Sequence, residues 1–190
     1  NILENERKKI QQTHWDDTHK LIAIYSIALA MSFLHSHDII HRDLKPENIL
    51  MIKVEDKFYP KVADFGLSKM INSPEQNSLD INESSGTMGT PIYMSPEIIT
   101  DSLYTKACDV YAFGIIVYEI ITGQIPFEGY NFYKLTMKVA SGERPDFQED
   151  TPEVFKEFIE SCWNQDPELR PTFENIVKDL KENEEFITGK

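Results

Sequence analysis

Two aspartates, a lysine and an asparagine are spaced so that a short stretch of chain could bring them together. Asp43, Lys45 and Asn48 lie in the run His41-Arg42-Asp43-Leu44-Lys45-Pro46-Glu47-Asn48, and Asp64 opens Asp64-Phe65-Gly66. One carboxylate can accept a proton, another together with a carboxamide oxygen can hold a hard divalent cation, and an ammonium group can balance negative charge. Those are the parts needed to move a phosphoryl group. Standing alone, Asp64-Phe65-Gly66 would be a turn, because Asp and Gly are usual turn residues. The run before it gives it a chemical reading.

Positioning these residues falls first to a hairpin. Asn48-Ile49-Leu50-Met51-Ile52 and Phe58-Tyr59-Pro60-Lys61-Val62-Ala63 flank the polar turn Val54-Glu55-Asp56-Lys57, the pattern of two short strands. The run at 41–48 then sits just before the first strand and Asp64 just after the second, so the hairpin fixes the spacing between Asn48 and Asp64. Upstream, residues 1–15 are polar, with Ile2, Leu3 and Ile10 as aliphatic anchors, and read as a short helix and a loop. Asp16-Asp17-Thr18 offers N-cap side chains to a long helix ending near His35, with an apolar face at Leu21, Ile22, Tyr25, Leu29, Phe33 and Leu34. His35 and His37 point to different faces of that helix with no third ligand nearby, and read as helix-end residues rather than a metal pair.

Downstream, residues 67–94 carry few large apolar side chains and offer no packed element; a long loop of this kind is usually functional or disordered. Ala107 to Thr122 is apolar almost all round and belongs in a core, with Asp109 as a helix-start carboxylate favoured by the dipole. Further helices are predicted at about Phe132 to Ala140, Pro152 to Cys162 and Phe173 to Phe186. Trp163, Asp166-Pro167 and Arg170-Pro171-Thr172 fall between the last two.

With 190 residues, 41% of them hydrophobic, the chain has the size and core of one domain, spanning 1–190. A net charge of −13 argues against nucleic acid or an anionic membrane as the main partner. The acid-rich runs around Glu149 to Glu160 and Glu182 to Glu185 read as solvated surface. Cys108 and Cys162, the two cysteines, have apolar neighbours and no metal-ligand spacing, which fits buried free thiols in a reducing compartment. No apolar run approaches the roughly 18 residues of a spanning helix and no leader-like segment opens the chain. A cytoplasmic location is therefore expected, with membrane attachment through other segments left open.

The motifs together resemble the larger, C-terminal lobe of a eukaryotic protein kinase. Residues 41–48 fit the H-R-D-L-x-x-x-N catalytic loop, Asp64-Phe65-Gly66 the DFG, and Ser95-Pro96-Glu97 the Ala-Pro-Glu motif with serine for alanine. The resemblance implies a mainly α fold, a helical bundle with a small β-hairpin carrying the catalytic loop and DFG, and supplies roles residue by residue. Asp43 is the base for the substrate hydroxyl, Lys45 steadies the γ-phosphate, Asn48 and Asp64 hold Mg²⁺, and Leu50 lies under the adenine of ATP. His41, Phe65 and Gly66 are the remaining motif residues, Asp109 holds the catalytic-loop backbone, and Arg170 pairs with Glu97. Lys45 and Gly89-Thr90-Pro91-Ile92-Tyr93-Met94 point to protein substrates with serine or threonine, with Thr90 bonding toward the base and lysine. The Cys162-Trp163 and Arg170-Pro171-Thr172-Phe173 endings resemble the tyrosine-kinase-like group. Arg42 would receive a phosphate on the activation segment, where Ser84, Ser85 and Thr87 are the hydroxyls.

No glycine-rich loop or lysine strand precedes the catalytic loop, and the chain opens at Asn1 without methionine. The expectation is one domain of a longer kinase, inactive alone and partnered by its own N-terminal lobe. A pseudokinase or scaffold lobe that binds proteins is the alternative. Such lobes typically lose the equivalents of Asp43, Asn48 or Asp64, and all three are present here.

Overall fold

A computed structural model describes residues 16–54, 57–70 and 91–188. The short helix read over 1–15, most of the long loop, and the hydroxyls Ser84, Ser85, Thr87 and Thr90 lie outside the described residues. Among the described residues helix α1 (Asp17–Ser36) comes first and leads through β1 (Ile39–Ile40) to a 3₁₀ turn at Pro46–Asn48. Strands β2 (Ile49–Val54), β3 (Lys57–Val62) and β4 (Lys69–Met70) follow, and a second 3₁₀ turn covers Pro91–Tyr93. The remainder is helical: α2 (Pro96–Asp101), α3 (Lys106–Thr122), α4 (Phe132–Ala140), α5 (Glu153–Cys162), a 3₁₀ turn at Pro167–Leu169, α6 (Phe173–Glu182) and α7 (Glu185–Thr188). The fold is mainly α with two small antiparallel sheets, β2–β3 and β1–β4.

Helix α1 starts where the sequence sets it. Asp16 has extended backbone and its side chain accepts the His19 N–H at 2.9 Å, satisfying one of the orphan donors of the first turn. Its buried face differs from the expected one. Ala23, Ile24, Ile27, Ala28, Met31, Leu34 and His35 are inside, whereas Ile22, Leu29 and Phe33 are 38%, 50% and 64% exposed. The helix is apolar on more than one side, so periodicity allows two stripes, and packing against α6, α3 and β3 selects the one with alanines, which permit close approach.

At the centre lies α3, every residue of which from Cys108 to Tyr118 is buried. It packs on α5 and on α1. It ends at Gly123, whose φ of 68° is left-handed and whose N–H returns to the Glu119 carbonyl, a cap that glycine makes without a Cβ penalty. Gly114 serves the α3–α5 contact: a Cβ there would lie 2.8 Å from the Cys162 Cβ. Gly114→Ala gains about 1 kcal/mol of helix propensity. It also forces two packed backbones apart, an overpacking cost of about 1–3 kcal/mol. A net destabilisation is expected in denaturant unfolding, and a gain in stability would show that α5 gives way freely.

Three further differences separate structure from sequence reading. Lys69–Met70 forms a ladder with Ile39–Ile40, with Ile39 opposite Met70 and Ile40 opposite Lys69, inside a stretch that promised no packed element. Helix α2 was not predicted; it forms because Pro96 stands at its first position, where a missing N–H costs nothing, and Ser102 closes it in the left-handed region (φ 53°). The last predicted helix breaks at Asn183, which has extended backbone and accepts from the Glu185 N–H through its side chain, starting α7 anew.

Candidate active site

The predicted run leaves β1 and turns at once. Arg42 sits at φ 70°, a left-handed conformation that costs a non-glycine residue roughly 1–2 kcal/mol and so needs external support. Asp109, in the first turn of α3, gives it: Oδ2 accepts the His41 N–H at 2.8 Å and Oδ1 the Arg42 N–H at 2.9 Å. Asp109 is 1% exposed, a position where a carboxylate is tolerable only when its oxygens are bonded. His41 is itself fully buried, with Nε2 3.1 Å from the Ala63 carbonyl and its ring 5.5 Å from that of Phe65. The Arg42 guanidinium lies 5.1 Å over the Tyr104 ring.

One residue beyond the turn, Asp43 faces two donors. Lys45 Nζ lies 2.9 and 2.7 Å from its two carboxylate oxygens, and Asn48 Nδ2 lies 2.9 Å from Oδ2 and 2.7 Å from the Asp43 carbonyl. The 3₁₀ turn at Pro46–Asn48 makes this possible, folding Asn48 back so that its N–H reaches the Lys45 carbonyl at 2.9 Å. A carbonyl can only accept, so its contact fixes Nδ2 as the end of the amide that faces Asp43, and leaves Oδ1 as a hard oxygen donor.

Asp64 arrives by way of the hairpin. Ile49 pairs with Val62, and the Ala63 N–H donates to the Asn48 carbonyl at 2.8 Å, so the residue before Asp64 is tied to Asn48. Asp64 is also left-handed (φ 63°), and its Oδ1 accepts the Gly66 N–H at 3.2 Å. A Cβ on Gly66 would lie 3.1 Å from that oxygen, so glycine clears the space beside the carboxylate. Among the described residues no group of three His, Cys, Asp or Glu could close around a metal. Asn48 Oδ1 and the Asp64 carboxylate are hard oxygen donors of the kind Mg²⁺ takes alongside water and phosphate. Leu50 is 40% exposed on β2, in line with the exposed Ile52 and Val54 on the same strand face.

At the far side, Glu97 of α2 and Arg170 form a bidentate pair, with Nη1 to Oε1 at 2.7 Å and Nη2 to Oε2 at 2.8 Å, both residues buried. Arg170 is further bound by the Ala107 and Asn164 carbonyls, at 3.0 and 2.8 Å, and lies over the Tyr111 ring. Burial alone would raise the Glu97 pKa, but the Arg170 bonds and its own backbone N–H outweigh burial and hold it below the ordinary 4.5. A depressed native pKa means that this stabilisation is complete above 4.5 and is lost as the pH falls through the lowered value. The stability difference between wild type and Glu97→Gln should thus be constant from neutral pH to about 5 and shrink below 4.5, as read by denaturant unfolding across that range. A difference that stays constant down to pH 3 would refute the lowered value. Both cysteines are free and buried, and burial pushes their thiols up, to about 11 for Cys108 and about 12 for Cys162.

The structure thus brings Asp43, Lys45 and Asn48 into direct contact, ties Asp64 to Asn48 through the hairpin, and sets His41, Arg42 and Asp109 behind them. Leu50 lies along the hairpin, and Glu97 and Arg170 form a separate buried cluster. Sequence reading missed His35 here. Its Nε2 lies 2.9 Å from Asp109 Oδ2. The available signal was its place four residues beyond Met31 and seven beyond Ala28 on the true buried stripe, where a polar side chain requires a partner.

The family described as protein tyrosine and serine/threonine kinase matches residues 2–180. A Dictyostelium discoideum protein named as a probable LIM domain-containing serine/threonine-protein kinase is 41% identical over 86% of this chain and 24% of its own length. The serine/threonine-protein kinase VIK of Arabidopsis thaliana is 40% identical over 85% of this chain and 37% of its own. The dual specificity protein kinase shkA of Dictyostelium discoideum is 40% identical over 82% and 29%. The chain spans well under half the length of these relatives. With its catalytic-loop, DFG and Ser-Pro-Glu motifs in place on a mainly α fold, the chain belongs to the protein tyrosine and serine/threonine kinase family, as the C-terminal lobe of a kinase domain.

Proposed function

We propose that this chain is the substrate- and Mg²⁺-binding lobe of a protein serine/threonine kinase that transfers the ATP γ-phosphate to protein hydroxyls. The observation that carries this reading is the contact of Asp43 with both Lys45 and Asn48, beside a DFG aspartate tied to Asn48 by the hairpin. Bound Mg²⁺ would supply positive charge to offset the charge of the nucleotide phosphates. Asn48 Oδ1 and the Asp64 carboxylate are the oxygens that would hold it. Asp43 accepts the proton of the substrate hydroxyl and aligns its oxygen, and the Lys45 ammonium steadies charge on the phosphoryl group in flight. Leu50 packs under the adenine, and the exposed aliphatic row Leu50, Ile52 and Val54 suits it and the smaller lobe of the kinase.

Serine and threonine as acceptors rest on Lys45, on Thr90 within Gly89 to Met94, and on the printed names of the serine/threonine kinase relatives. Arg42 pairs with a phosphate carried by Ser84, Ser85 or Thr87. The two buried free thiols suit a reducing, cytoplasmic setting, and residues 1–190 act as one unit. Among the described residues, no helix is long and apolar enough to cross a membrane. The test is incubation of the full-length protein with labelled ATP, Mg²⁺ and a mixed protein substrate, followed by phosphoamino-acid analysis. Phosphoserine and phosphothreonine are the expected products. Phosphotyrosine alone would overturn the acceptor class, and no label above a metal-free control would favour a protein-binding scaffold.

A further inference from the structure

Arg42 is held at both ends. Asp109 supports its backbone, and its guanidinium rests on Tyr104, with Cζ 5.1 Å from the ring centre. The ring attracts the charge and accepts none of the in-plane N–H bonds, whereas a carboxylate would take both. One of those donors, Nε–H, is buried and has no hydrogen-bond partner, a cost that folded proteins seldom carry without a use. A cavity of about 40 Å³ lies beside the pair, lined by Arg42, Asp43, Tyr93, Met94, Ile98 and Tyr104 among others. The platform itself is fixed. Tyr104 lies in the loop between α2 and α3, where the Leu103 N–H donates to the Glu97 carbonyl at 3.2 Å and the Thr105 N–H to the Cys108 thiol at 3.4 Å. Burial raises the Tyr104 pKa above its ordinary value and Arg42 opposes it; the phenol stays neutral and sets no second anion against a phosphate.

We propose that Tyr104 is a positioning residue for regulation by phosphate: its ring holds the Arg42 guanidinium charged, placed and with donors to spare for a phosphate on the activation segment. This rests on the pairing of Arg42 with a phosphate on Ser84, Ser85 or Thr87 proposed above. An arginine that moves freely loses its side-chain entropy when the phosphate arrives. One already resting on a ring lost it on folding, so more of each new bond goes into the pairing. Contact through the face also leaves the guanidinium edge open, and two parallel N–H bonds from that edge are what a phosphate takes from arginine. A carboxylate in place of Tyr104 would close that edge, and an aliphatic side chain would leave the cation loose. Tyr104 acts through Arg42 and needs only its ring face for the task.

The test uses the full-length protein with phosphoserine at Ser84, phosphoserine at Ser85 or phosphothreonine at Thr87 introduced during synthesis, so that no activity of its own is required. Each form is made as wild type, Tyr104→Phe, Tyr104→Leu, Arg42→Gln and the double variant of the last two. An added phosphatase acts on phosphate released from its arginine, so the rate of dephosphorylation, followed by mass spectrometry, reads the pairing. For at least one of the three sites Arg42→Gln should raise that rate about tenfold or more. At that site Tyr104→Leu should raise it about fivefold, Tyr104→Phe should stay within twofold of wild type, and Tyr104→Leu should add less than twofold to Arg42→Gln. A wild-type rate for Tyr104→Leu, or a phenylalanine variant as fast as the leucine one, would overturn the inference. A leucine effect undiminished in the absence of Arg42 would also overturn it, by marking a purely structural loss. If Arg42→Gln changes no rate at any site, the phosphate pairing itself fails and Tyr104 loses its task with it. In transfer assays the ratio of kcat between phosphorylated and unphosphorylated protein should fall about fivefold in Tyr104→Leu and hold in Tyr104→Phe. Equal losses in both forms would again mark a structural role and overturn the inference.

Discussion

Asp43→Asn lowers kcat for phosphate transfer by the full-length protein about 10²- to 10⁴-fold, the usual contribution of a positioned general base. The substitution keeps size and shape and removes the one property the proposed base needs, an oxygen that can take a proton. It also turns an acceptor into a donor. Lys45 Nζ and Asn48 Nδ2 both point at the Asp43 carboxylate, and Asn48 Nδ2 lies 2.9 Å from Oδ2. An asparagine offers one oxygen, and whichever way its amide turns, its NH₂ meets the Lys45 ammonium, and in one orientation the Asn48 amide as well. The loop is therefore expected to lose order as well as basicity, and KM for substrate should change far less than kcat. Single-turnover transfer from labelled ATP measures this. A rate within twofold of wild type would remove Asp43 from the role of base.

The second large effect is on stability. Arg170→Met leaves the Glu97 carboxylate buried without its two guanidinium bonds, and strips two carbonyls, Ala107 and Asn164, of their donor. Removing one member of a buried pair costs about 3–5 kcal/mol, because the remaining charge is uncompensated. For a domain of this size that is a fall in Tm of roughly 10 °C. Replacing both, as Glu97→Leu with Arg170→Met, should recover much of the loss, since a well-packed apolar pair often equals an ionic one. Thermal and denaturant unfolding of the three variants measures this. A cost below about 1 kcal/mol for Arg170→Met would mean that water replaces the pair.

Much of this was legible in the sequence because the responsible signals are local. The Asp16 cap, the largely apolar run of α3, the bounds of α4 and the hairpin between residues 48 and 63 follow from residue type and spacing at short range. The chemical set at 41–48 and 64 was readable for the same reason. What escaped was decided by tertiary packing. Two stripes of α1 were apolar, and only the presence of α3, α6 and β3 made Ala23, Ile24, Ile27 and Ala28 the inner one. The ladder between β1 and β4 has two residues a side, too few for any alternation to register. Helix α2 is six residues long with a proline at its start, below the length at which periodicity speaks. His35 looked like an ordinary helix-end histidine because its partner, Asp109, stands 74 positions further along the chain.

That separation carries its own consequence for how the protein reaches its working form. The three bonds of Asp109 span 67, 68 and 74 residues, and the Glu97–Arg170 pair spans 73. Closing a loop of that length costs about 4 kcal/mol of chain entropy before any contact repays it. Helices α1 and α3 can each gather locally, but the catalytic turn has no support until they have met across that distance. The site is assembled among the later steps of folding. A partly folded chain with most of its helices in place would still lack an oriented Asp43, so the geometry at Arg42 and Asp43 reports whether the whole core has closed.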